Sequence, residues 1–198
     1  MLLGEPRVNE ETHSIQPKVR ERCPDMMPSI DEFGTFAVAD LYELVSDVYT
    51  TCEGMSETLG DKYPTLESFE RDVAELSERP GAMGLIASVD GRPLGYLTIK
   101  PKREAKLRHT AELNMGVRHE ARGRGLGKLL LTEALRRARE SPELEIVYLM
   151  VRADNIAAVS LYEKLGFERL AVLDYDTKSG DSYYDGLLMR KFVKNIAV

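Results

Sequence analysis

The run Asn114-Met115-Gly116-Val117-Arg118-His119-Glu120-Ala121-Arg122-Gly123-Arg124-Gly125-Leu126-Gly127-Lys128-Leu129-Leu130-Leu131 joins an apolar strand end to a helix through a charged turn with glycine at every second position. In outline it is an anion site. The N–H groups in the first turn of a helix have no intrahelical acceptor, the helix dipole puts partial positive charge there, and glycine lets a ligand approach the main chain. Arg122, Arg124 and Lys128 bring full positive charge to the same place, so phosphates are the natural guest.

The helix that follows is amphipathic. Leu126, Leu130, Ala134 and Ala138 recur every four residues with Leu131 and Leu135 beside them, while Lys128, Thr132, Glu133, Arg136, Arg139 and Glu140 fill the other arc. Spacing excludes two common nucleotide loops. A Walker A loop needs Gly-x-x-x-x-Gly-Lys-Ser/Thr, but Arg122 stands five before Gly127 and Leu129 follows Lys128. A Rossmann turn needs Gly-x-Gly-x-x-Gly, whereas these glycines run 123, 125, 127.

Outward from this helix, Ile146-Val147-Tyr148-Leu149-Met150-Val151 reads as a strand buried on both faces, and strand, helix, strand in this order predicts a right-handed parallel crossover. The anion loop then lies at the carboxyl end of the first strand, where open α/β sheets bind ligands. Asp154 to Phe167 reads as a helix capped by Asp154 and stopped by Gly166. Upstream, Leu85–Val89 and Leu94–Ile99 flank Asp90-Gly91, a tight-hairpin signal. Leu66, Phe69, Val73 and Leu76 predict a helix capped by Thr65, and Leu41, Leu44, Val45 and Val48 an earlier one. Thr35–Val38 is the candidate first strand, and 172–175 with 183–189 the final hairpin.

The 198 residues suit one domain, and 43% hydrophobic with 30% charged residues is ordinary for a globular protein. A net charge of -6 argues against a nucleic-acid or anionic-membrane binder, which needs a basic surface. Cys23 and Cys52 have neither metal-ligand nor redox spacing and read as free thiols. The start of the chain lacks the apolar core of a signal peptide and no run could span a bilayer, so a cytoplasmic protein is expected. Residues 1–30, with Pro6, Pro17, Pro24 and Pro28, read as an irregular arm ahead of a domain over 31–198.

Arg122, Gly125 and Gly127 fit Arg/Gln-x-x-Gly-x-Gly/Ala, and downstream Asn155 stands seven residues before Tyr162, followed by Gly166-Phe167. On these two signatures the chain resembles the GNAT superfamily of acetyl-CoA-dependent N-acetyltransferases. The resemblance implies an α/β (α+β) fold with a central, mixed, mostly antiparallel sheet, splayed between its fourth and fifth strands and flanked by helices. It implies acetyl-CoA as cosubstrate, no metal, and transfer to a primary amine, on a small molecule or a peptide, by direct attack in a ternary complex. The acceptor and the oligomeric state stay open, a homodimer among them.

By the same resemblance the main chain of Gly123, Arg124, Gly125, Leu126, Gly127 and Lys128, with Arg122, cradles the pyrophosphate, and Asn155 holds the pantetheine arm. Main-chain donors at Met115, Gly116 and Val117 receive the oxyanion, and the Tyr162 hydroxyl serves the departing thiolate. Seven residues is two helical turns, so Asn155 and Tyr162 share a face. The amine must be neutral to attack, yet an α-amino group titrates at about 8 and a lysine at about 10.4, so a base is required. The subfamily acting on ribosomal-protein N-terminal alanines carries a glutamate where Met150 stands, and methionine accepts no proton. Glu112, matching an acid of other branches, is the candidate base. A CoA-binding module without activity is the alternative that Met150 favours.

Overall fold

The computed structural model describes residues 27–195, so the expected arm lies almost wholly outside the described residues. Seven strands form one sheet in the order β1-β2-β3-β4-β5-β7-β6. These are β1 (Ser29–Glu32), β2 (Met83–Val89), β3 (Arg92–Pro101), β4 (Thr110–Val117), β5 (Ile146–Arg152), β6 (Glu168–Ser179) and β7 (Ser182–Phe192). Every neighbouring pair is antiparallel except β4 with β5.

Five helices cover the sheet: α1 (Val38–Thr51), α2 (Leu59–Lys62), α3 (Leu66–Glu78), α4 (Leu126–Glu140) and α5 (Ile156–Lys164). One face packs under α4 and α5, where Leu126, Leu130, Leu131, Ala134, Leu135 and Ala138 are all buried, as their spacing requires. The opposite face packs under α1 and α3 through Leu41, Leu44, Val45, Val48, Phe69 and Leu76. Each large apolar side chain removed from water stabilises the fold by about 1.5–3 kcal/mol, so the two layers clamp the sheet from both sides.

Local chemistry sets the boundaries. Thr65 caps α3, its Oγ1 accepting from Ser68 N–H at 3.1 Å. Asp90 and Gly91, both at positive φ, close the β2–β3 hairpin. Gly166, at φ +82°, ends α5.

The first strand lies earlier than Thr35–Val38. β1 is Ser29–Glu32, Phe33–Thr35 form a 3-10 turn, and Ala37 is the N-cap of α1. β1 carries a single apolar residue, Ile30, and holds the sheet edge through its ladder to β2 and a 2.8 Å hydroxyl bond between Ser29 and Ser88. α5 is capped by Asn155 rather than Asp154. The Asn155 Oδ1 accepts from Ala158 N–H at 3.2 Å, while the Asp154 carboxylate is drawn back onto Arg152.

Candidate active site

The parallel β4–β5 pairing stops after three steps, Thr110 with Ile146, Ala111 with Val147 and Glu112 with Tyr148. Beyond Glu112 the strands part. Met150, expected to be buried on both faces, is 40% exposed because no neighbouring strand covers it on the β4 side. The opening is a cavity of about 430 Å³ lined by both strand ends, the glycine turn, one face of α5 and the end of α1.

Why the turn holds open follows from its backbone. Gly123 and Gly125 sit at φ +74° and +87°, and a Cβ on either would meet no protein atom within 4 Å. The conformation, not crowding, demands glycine there. Arg122 N–H bonds back to His119 and Leu129 N–H starts the α4 ladder at Gly125. Between them, the N–H groups of Gly123 through Lys128 have no acceptor among the described residues. A row of free donors at a helix N-terminus, with Lys128 beside it, fits a diphosphate.

Not every basic side chain here faces the ligand side. Arg122 is exposed and lines the cavity, its Nε donating to Val117 C=O at 3.0 Å and its Nη1 to Thr51 C=O at 3.5 Å, so it also ties the turn to β4 and to the end of α1. Arg124 is exposed and lies outside the cavity lining.

In β4 the ladder fixes which donors face the gap. Lys102 N–H bonds Thr110 C=O and Arg118 N–H bonds Leu94 C=O, so even-numbered residues direct their main chain to β3 and odd-numbered ones toward β5. Met115 and Val117 therefore present N–H groups where β5 has moved away. Gly116 does not. Its N–H points at β3, and its contribution is a missing side chain, because a Cβ there would overlap the Val48 side chain and lie 2.8 Å from the Tyr96 ring.

On the opposite wall, Asn155 and Tyr162 line the cavity together, as their two-turn spacing implies. Tyr162 is 7% exposed, its ring edge-on to Phe167 at 5.7 Å. Its hydroxyl has no hydrogen-bond partner among the described residues. Burial, with the nearby Cys52 adding, pushes it up to about 12, so it stays a protonated donor at neutral pH.

Glu112 lies on the other side. It is 62% exposed, pairs with Lys102 at 3.0 Å, and lines a separate depression of about 300 Å³ with Lys62, Lys100 and Asn114. Only Asn114 belongs to both linings. Behind it, Tyr96 donates to Asn114 Oδ1 at 3.3 Å and Tyr63 to Asp72, itself ion-paired with Lys100.

The remaining wall carries no sequence signature. Val48, Cys52, Gly54, Met55 and Ser56 close the cavity from α1 and the turn after it. The helical period of α1 placed Val48 in the core, but nothing in 52–56 has a motif. Arg152 seats this turn. Its guanidinium donates to Glu53 C=O at 2.7 Å, forks onto Asp154, and stacks 3.5 Å from the Tyr184 ring centre.

A mixed sheet split at its single parallel pair, with unsatisfied donors on one side of the gap and a buried phenol from α5 on the other, suits a ligand that joins a diphosphate to a reactive end. The chain belongs to the Acetyltransferase (GNAT) family, which it matches over residues 38–167. It is an acyltransferase that moves an acetyl group from acetyl-CoA to an amine. Among its relatives, the L-amino acid N-acetyltransferase AaaT of Escherichia coli is 28% identical over 127 residues, covering 64% of this chain and 76% of that protein. The L-methionine sulfoximine/L-methionine sulfone acetyltransferase of Pseudomonas aeruginosa is 30% identical over 145 residues, 72% of this chain and 81% of that one. The crystal structure of a GNAT acetyltransferase from Streptococcus pneumoniae superposes with a TM-score of 0.78 at 27% identity, covering 84% of this chain and 99% of that one. Among the described residues no helix is long and apolar enough to cross a membrane.

Proposed function

We propose that the chain is a cytoplasmic N-acetyltransferase for small amines of the amino-acid type, working by direct attack. The observation that carries the reading is the row of unsatisfied N–H groups from Gly123 to Lys128, opening into the same cavity as the free Tyr162 hydroxyl. Acetyl-CoA would lie with its diphosphate on that row and its thioester in the gap. Asn155 keeps amide N–H donors for the pantetheine arm after its Oδ1 is used in capping.

The acceptor would enter from the 300 Å³ depression. Lys62, Lys100 and Lys102 line it, each held by an acid of the chain, Glu57, Asp72 and Glu112, so a substrate carboxylate would be received by exchange with one of these pairs, and the activities of the two relatives above are on amino acids or their analogues. Glu112 takes the proton from the entering ammonium, reaching the gap past Asn114. The N–H groups of Met115 and Val117 hold the negative oxygen as the amine adds. Tyr162 donates a hydrogen bond to the leaving sulfur, which departs as a thiolate whose pKa resembles that of a cysteine, about 8.5.

Thiol release from acetyl-CoA across amino acids, simple amines and peptides tests this reading. Turnover is expected with free amino acids and is expected to drop when their carboxylate is amidated. Glu112→Gln should lower kcat/KM by about 10²–10⁴ and alter the pH–rate profile. An unchanged profile removes Glu112 as the base, and CoA binding without thiol release for any amine overturns the transfer itself.

A further inference from the structure

Cys52 stands at a place the transfer reaction does not use. It follows the last residue of α1, is half-buried, is a free thiol, and lines the same cavity as Tyr162. The residues on either side of it are tied down from opposite arms of the split. Thr51 C=O receives Arg122 Nη1 at 3.5 Å, from the turn after β4, and Glu53 C=O receives Arg152 Nη1 at 2.7 Å, from the end of β5. Gly54, two residues on, packs against Asn155, whose Nδ2 would lie 3.4 Å from a Cβ there. The chain is thus stretched across the mouth of the gap with the Cys52 side chain on the cavity.

A second observation points to a ligand at that spot. Tyr162 is nine-tenths buried, lines the cavity, and its hydroxyl has no partner among the described residues, so the space beside it is shaped for a polar guest. Cys52 lines the same cavity as Tyr162, which packs on one face of the sheet, and is itself packed with the cluster on the other face.

We propose that Cys52 is a covalent modification site for the disulfide form of coenzyme A, which the cavity would bring to it as a mixed disulfide that closes the active site. The inference rests on the CoA-binding reading above. In the step, the Cys52 thiolate attacks the sulfur of the CoA half held in the cavity. The S–S bond breaks as the Cys52–CoA bond forms. The other half leaves as CoA thiolate and takes up the proton that Cys52 gave. The Cys52 sulfur rises from oxidation state −2 to −1 as the departing CoA sulfur falls from −1 to −2, and no other oxidant enters.

The test incubates the full chain with CoA disulfide and reads the intact mass and the modified peptide, with calorimetric binding of reduced CoA measured in parallel. The expected result is a single adduct of one CoA less two hydrogens, on Cys52, at least about tenfold faster than on Cys23 because the bound reagent is at high effective concentration. It should be slowed by acetyl-CoA, reversed by dithiothreitol, absent in Cys52→Ser and kept in Cys23→Ser. Glutathione disulfide, which lacks the diphosphate, should react at least about tenfold more slowly. A protein that binds CoA yet labels Cys23 and Cys52 equally, labels neither, or reacts as fast with glutathione disulfide overturns this inference and leaves the transferase reading standing. A protein that fails to bind CoA overturns both.

Discussion

Tyr162→Phe is expected to lower kcat by about two to four orders of magnitude while leaving the KM for acetyl-CoA and the melting temperature nearly unchanged. The ring is the structural part of this residue. It packs edge-on to Phe167 within the α4 and α5 layer, and phenylalanine keeps that contact. The hydroxyl makes no hydrogen bond among the described residues, so its loss leaves no partner stranded in the core and removes only a donor aimed into the cavity. Because burial holds that hydroxyl up to about 12, it is protonated across neutral pH and contributes no limb to a pH–rate profile below about 10. Any limb seen between pH 6 and 9 belongs to the amine and should survive in the variant. Steady-state kinetics over that range settle the matter; an unchanged kcat would relegate Tyr162 to a packing residue.

Gly125→Val is the second large effect, and it acts on binding. Gly125 sits at φ +87° and ψ -1° with nothing within 4 Å of a Cβ, so the substitution meets no wall. It meets the backbone instead. Holding a β-branched residue in the left-handed region costs about 1–3 kcal/mol, and the turn relieves that strain by rotating. Rotation disperses the N–H groups of Gly123 to Lys128, whose alignment is the basis of the diphosphate site. A hydrogen bond to a charged group is worth about 1.5–3 kcal/mol, so losing one or two weakens CoA by roughly 10- to 10⁴-fold. The ligand-free melting temperature should fall by only a few degrees per kcal/mol, about 2–4 °C for a chain of this size. Calorimetry with CoA and a thermal melt without it separate the two effects. A variant that melts lower but binds CoA as before would show that the glycine turn is a fold feature alone.

What the sequence made legible was local. Unsatisfied amides at a glycine-rich helix start, the buried stripe of α4 and the two-turn spacing of Asn155 and Tyr162 all follow from the geometry of a few consecutive residues, and all appear in the structure. Interactions between distant segments were not legible. β1 is polar and short, and it exists as a strand because β2 offers an edge. Asn155 rather than Asp154 caps α5 because Arg152, itself pulled toward Glu53 and Tyr184, takes the aspartate. Met150 follows the pattern of a doubly buried strand, yet the parting of β4 and β5 leaves one of its sides open. Gly116 reads as a main-chain donor like its neighbours, yet the ladder turns its N–H to β3 and the space its side chain would fill is taken by Val48 of α1 and by Tyr96. The turn from Cys52 to Ser56 has no periodicity at all, and only the anchors from Arg122 and Arg152 make it a wall of the site.

Amide hydrogen exchange with and without CoA puts the cradle to its most direct test. In the free protein the N–H groups of Gly123 to Lys128, lacking acceptors, should exchange at rates near those of an open chain, as should those of Met115 and Val117 at the gap. CoA should slow the 123–128 amides strongly, and fragments lacking the diphosphate should not. Exchange at 123–128 that is already slow in the free protein, or that CoA leaves unchanged while protecting some other surface, would contradict a diphosphate site at this turn.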